Sequence, residues 1–117
     1  MSESGQTWCR EFQAYPAEAR LVRRWVGSRI EHPDASQVAN ELFISILASG
    51  TARIHMTLST AGHRARITAA GSVELKVHHS HGPGFHIVSG LSALNGLNTD
   101  GRGLWAQLET KTERTER

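Results

Sequence analysis

The stretch from Val38 to Gly50 constrains this chain more than any other, because it reads as one helix with two unlike faces. Val38, Ala39, Leu42, Ile46 and Leu47 recur at helical spacing, so they form an apolar stripe that must pack on a core. Glu41, Ser45 and Ser49 fall four residues apart and line up as a second, polar stripe. Gly50 supplies a left-handed stop. A helix of this kind needs an apolar layer beneath it, and the flanking sequence offers one made of strands.

Before the helix, Thr7–Phe12 reads as a short strand with Trp8, Arg10 and Phe12 on one face and Cys9 on the other. Pro16 suits the first turn of a helix that runs to about Ile30 on an apolar stripe of Leu21, Val22, Trp25, Val26 and Ile30. Glu31-His32-Pro33 interrupts it, and Asp34 or Ser36 can cap the next helix. After Gly50, Ile54, Met56 and Leu58 alternate with Arg53, His55 and Thr57, the pattern of a half-buried strand. Thr60–His63 is a turn, and Arg64–Ala69 is the returning strand of a hairpin.

Ser72–Val77 reads as a further strand or as part of a loop, and His78–Gly84 is irregular. Phe85, Val88, Leu91 and Leu94 predict a short helix, and a turn at Thr99–Gly103 leads into a last strand, Leu104–Glu109. The three tryptophans, Trp8, Trp25 and Trp105, are expected in the core; one on an open face would mark an interface. The order β-α-α-β-β-(β?)-α-β-β predicts an α+β two-layer sandwich, with helices on one face of a mainly antiparallel mixed sheet. With 117 residues the chain makes one domain, expected over residues 1–109 with 1–5 frayed. The charged, apolar-free residues 110–117 are expected to be a disordered tail.

Composition excludes several functions. A formal charge of +2 is no nucleic-acid signature, and the cluster Arg20, Arg23, Arg24 and Arg29 reads as a solvated helix face. The lone Cys9 excludes an internal disulfide and a cysteine zinc site. No apolar run approaches the roughly 18 residues of a membrane helix, and the polar N-terminus lacks a signal-peptide pattern. A reduced, cytoplasmic protein without nucleic-acid or membrane partners is the expectation. His78, His79, His81 and His86 are too close in sequence to converge readily on a metal, and read as a histidine-rich loop. Ser89 and Ser92 near His86 lack an acidic partner for a nucleophile triad.

Five segments, in order, resemble the GHKL ATPase fold (the Bergerat-like fold of histidine kinases and HSP90), in its actinobacterial anti-sigma-factor and serine-kinase branch. Arg10-Glu11-Phe12 with Ala19–Val26 is similar to the first strand and helix, and Asn40-Glu41-Leu42 with Ser45 and Gly50 to the N-box. Arg66–Gly71 is similar to the first glycine box, Gly82–Leu91 to the second, and Asp100–Leu108 to the closing hairpin and strand. The resemblance implies an ATP and Mg²⁺ site between helices and sheet, with Glu41 as general base. It also implies a protein partner, namely a sigma factor, an anti-anti-sigma protein or a related ATPase, and a homodimer.

At the binding positions the sequence departs from the family. Ser45 stands where an asparagine completes the Mg²⁺ shell, and its hydroxyl is a shorter donor for an ion strict about geometry. Ala69 stands where an aspartate accepts the adenine amino group, and an alanine accepts nothing. Gly71 is retained, and Gly82 and Gly84 keep a Gly-x-Gly whose backbone N–H groups could meet phosphate. The expectation is a degenerate member, a regulatory pseudo-ATPase without cofactor that works by protein–protein contact. The alternative is an active serine kinase with Glu41 as base and Ser45 as Mg²⁺ ligand.

Overall fold

A computed structural model describes residues 5–76 and 83–109. The chain runs β1 (Gly5–Gln13), a 3-10 turn (Pro16–Glu18), α1 (Ala19–Gly27), α2 (Ala35–Leu47), β2 (Arg53–Ala61), β3 (Arg64–Ala70), α3 (Pro83–Leu91), β4 (Leu94–Leu97) and β5 (Gly103–Glu109). The five strands form one sheet in the order β1-β2-β3-β5-β4, and every neighbouring pair is antiparallel. This is the two-layer α+β sandwich that the order of elements predicts.

Strand alternation divides the sheet into two faces. Phe12, Ile54, Met56, Leu58, Ala65, Ile67, Ala69, Leu104, Ala106 and Leu108 are buried on one face, beneath the helices. Their neighbours in sequence, among them Cys9, His55, Thr57, Arg66, Thr68 and Gln107, lie on the other face and are half-buried or exposed. Val22, Trp25 and Val26 of α1 and Val38, Ala39, Leu42, Phe43 and Ile46 of α2 complete the core. Phe12 meets Trp25 and Phe43 edge to face at 5.7 and 6.2 Å, so it joins β1 to both helices. Each aliphatic side chain buried in this way contributes about 1.5–3 kcal/mol.

Local signals account for most of the boundaries. Gly62, with φ 61°, takes the first central position of a two-residue loop flanked by Ala61 and Arg64. That is where a hairpin of this length wants glycine. The second helix stops at Leu47, short of the expected Gly50, which takes φ 85° in the turn that follows.

Three further expectations are corrected, and one alternative is decided. The first strand starts at Gly5, ahead of the expected Thr7, so Gly5 is not frayed; it pairs with Ala61. The first helix does not run from Pro16 to Ile30: a 3-10 turn precedes α1, which stops at Gly27, although Ile30 is still buried. Asp34 stands at the N-cap of α2 but makes no side-chain cap bond, and Ser36 lies inside the helix, where its Oγ donates to Arg23 O (3.1 Å) and ties α2 to α1. Of the two readings of this segment, residues 72–76 take the loop; Leu75 N–H bonds to Gly101 O (2.8 Å) and holds it against the β4–β5 turn. Residues 1–4, Val77–Gly82 with His78, His79 and His81, and the tail 110–117 lie outside the described residues.

Candidate functional site: the contact of α2 with α3

The polar stripe of α2 faces the first turn of α3. A Cβ on Gly84 would come within 2.9 Å of Glu41 Oε1 and 3.7 Å of Ser45 Oγ, so a larger residue there would require the Glu41 carboxylate to shift. The other carboxylate oxygen is occupied. Glu41 Oε2 accepts Gln37 Nε2 (2.9 Å) and Asn40 Nδ2 (3.4 Å), while Asn40 Oδ1 accepts Arg23 Nη1 (2.7 Å). A polar string thus runs from α1 through Asn40 to Glu41. A carboxylate beside the first turn of a helix is also stabilised by the partial positive charge there. Glu41 thus lies at the contact between α2 and α3.

The structure brings Glu41, Ser45 and Gly84 together, and places the other candidates apart from them. Ala69 is fully buried in the sheet, level with Met56 on β2 and Leu104 on β5. Gly71 lies against Thr51, and a Cβ there would fall 2.7 Å from Thr51 Oγ1. Gly82 lies outside the described residues. Among the described residues no group of three or more histidine, cysteine, aspartate or glutamate side chains is placed to hold a metal ion. His86 is exposed on α3, and Ser92 Oγ donates to Val88 O (2.6 Å) and closes the end of that helix.

Two features were not legible in the sequence. Thr51, only 5% exposed, is the hub of the loop that carries Gly71. Its hydroxyl donates to Arg53 O (3.0 Å) and accepts Ser72 N–H (3.0 Å), so it fastens the end of β3 to the start of β2. On the other face of the sheet, Glu11, Arg53, His55, Thr57, Thr68 and Ser72 line part of an open cavity of about 620 Å³. There Glu11 bridges Arg53 (3.1 Å) and lies 3.8 Å from His55 Nδ1. Both features join residues distant in sequence, which no local pattern reveals.

Trp25 is in the core and Trp8 is half-buried against it, but Trp105 is not in the core. It lies on the open face, packed over Gly96, with the Arg66 guanidinium 4.1 Å from its ring. The arginines of the helix face are exposed, and Arg23 and Arg29 make contacts within the chain, to Asn40 and to the Trp8 ring. Comparison of the sequence with protein-family models and with curated proteins finds no match.

Proposed function

We propose that this chain is a regulatory module of cytoplasmic, GHKL-like design that works by protein–protein contact, without ATP turnover. The observation that carries the reading is the close seating of α3 on Glu41. The residue that would serve as base has one oxygen held by Gln37 and Asn40, and the other faces the backbone of Gly84. Ser45, the candidate Mg²⁺ ligand, faces the same turn. The buried methyl of Ala69 supplies no acceptor for an adenine amino group. A hydrogen bond to a charged group is worth about 1.5–3 kcal/mol, so this one change weakens nucleotide binding about tenfold to a hundredfold.

The resemblance names the candidate partners: a sigma factor, an anti-anti-sigma protein or an ATPase of the same fold. The solvated arginine face of α1 is a surface through which such a contact would form.

Calorimetric titration of the intact chain with ATP and Mg²⁺ tests the reading. The expected result is no heat of binding. Saturable binding at micromolar strength, lost in Glu41→Ala, would overturn it in favour of the serine kinase.

A further inference from the structure

We propose that the β2–β3 hairpin and the segment after α1 together bind the phosphate group of a small ligand, held by Arg29 and Arg64. The site uses none of the residues at the contact of α2 with α3 and is independent of the nucleotide question.

In sequence Arg29 belongs with Arg20, Arg23 and Arg24, but the fold separates it from them. Helix α1 ends at Gly27, and the N–H groups of Arg29 and Ile30 both bond to Val26 O (3.0 and 2.9 Å), a turn that leads the chain out of the helix. Ile30 is buried in the core, and the charged residues on either side of it, Arg29 and Glu31, stay at the surface. The sheet contributes the hairpin. Gly62, with φ 61°, makes the two-residue loop possible, and Ala65 anchors the returning strand in the core. His63 and Arg64, between those two, are exposed. The two segments border one cavity of about 400 Å³, whose lining includes Arg29, Ile30, Glu31, Thr60, His63 and Arg64.

The charges of this lining select an anion. Two guanidiniums meet one carboxylate, and the His63 imidazole adds an N–H donor in either protonation state. The Arg29 guanidinium lies 5.9 Å from the Trp8 ring and donates to Ser28 Oγ (3.5 Å), and neither contact neutralises it. Among the described residues it has no ion-pair partner. Arg64 stands opposite Glu109 in the β3–β5 ladder. A guanidinium has five N–H donors, more than one carboxylate can take, and exposed pairs are weak, so an anion can share Arg64.

The arrangement also selects which anion. A planar carboxylate is satisfied by a single guanidinium fork. Donors that come from two separate segments, together with the Thr60 hydroxyl, suit an anion with more oxygens to fill. A phosphate group carries about −1.5 to −2 charge and three acceptor oxygens, and arginine is its usual partner. The cavity is larger than the ion itself, which leaves room for the carbon skeleton of a phosphate monoester. Nucleic acid needs a succession of phosphate contacts along its backbone, and this cavity offers one.

The test is titration of the intact, isotope-labelled chain with inorganic phosphate, followed by amide NMR shifts at constant ionic strength. Acetate and glycerol 3-phosphate are run alongside. Saturable shifts are expected at residues 29–31 and 60–65, with a Kd of about millimolar. Arg29→Ala and Arg64→Ala are each expected to weaken phosphate at least about fivefold. Both side chains are exposed, so the circular dichroism spectrum should not change. Glu31→Gln removes the opposing charge and is expected to tighten binding about twofold or more. Acetate is expected to bind at least about fivefold more weakly than phosphate. The third probe separates two sources of the same group: tighter binding of glycerol 3-phosphate marks a monoester as the ligand, and binding no tighter marks the free ion. Absence of saturable shifts, shifts centred elsewhere, or an affinity indifferent to either arginine would each overturn the proposal. So would weaker binding in Glu31→Gln, or acetate that matches phosphate. A single-stranded oligonucleotide that binds far more tightly through the same arginines, with a steep salt dependence, would overturn it in favour of a nucleic-acid surface.

Discussion

Ala69 shows how one residue can be legible in its chemistry and opaque in its surroundings. That it accepts no hydrogen bond follows from the sequence; that it is fully buried, beside Met56 and Leu104, follows only from the fold. The burial changes what a restoring substitution would do. Ala69→Asp puts an unpaired carboxylate into the apolar layer, and it is expected to cost about 3 kcal/mol or more. Urea denaturation monitored by circular dichroism measures this, and a cost below about 1 kcal/mol would show that the layer admits water. Thr51 is the converse case, unremarked in sequence but central in structure. Thr51→Val keeps the shape and removes the hydroxyl, so Ser72 N–H and Arg53 O both lose a partner. The same titration is expected to show a loss of about 1–3 kcal/mol. Thr51→Ser keeps the hydroxyl and should lose less.

At the scale of elements, periodicity revealed α2 and its polar stripe because both are local properties. Phe43 was missed as core, although it falls four residues after Ala39 on the same stripe; it is fully buried and packs toward Phe12. The last helix was read as reaching Leu94, yet it ends at Leu91. Ser92 Oγ turns back to Val88 O, and Ala93 N–H already bonds to Gln107 O of the sheet. Strand β4 carries no strong strand pattern, since Asn95 and Gly96 are poor strand formers. It is held by its pairing with β5 and by the Trp105 ring lying over Gly96. Helix α3 is the most weakly anchored described helix: Val88 is its one fully buried side chain, with Phe85 and Leu91 packed partly against the core. Val88→Ala is therefore expected to lower hydrogen-exchange protection across Pro83–Leu91 by about tenfold or more while α2 keeps its own. Equal loss in both helices would mean that α3 opens only when the whole domain does.

For the whole molecule, the division of the sheet into an apolar and a polar face sets the architecture, and that division was read as strict alternation in β2, while in β5 Trp105 was wrongly expected in the core. The contact of α2 with α3 was not, because Glu41 and Gly84 are brought together only after both helices have docked. The same asymmetry predicts two kinds of mutational response. Ile67 lies in the central strand β3, between β2 and β5, and is fully buried beneath the helices. Removing its outer carbons leaves a cavity in the strand that packs on β2, β5 and α2, so the loss is not confined to one of them. Ile67→Ala is expected to destabilise the fold by about 2–5 kcal/mol and to lower the urea midpoint without changing the slope. Its exchange protection should fall together in α1, α2, β2 and β3, in contrast to the local response at Val88. If Ile67→Ala instead produced two separate transitions, the two helices and the sheet would be independent units. The shared aromatic contacts of Phe12 with Trp25 and Phe43 argue against that, because they tie the edge strand to both helices through a single ring.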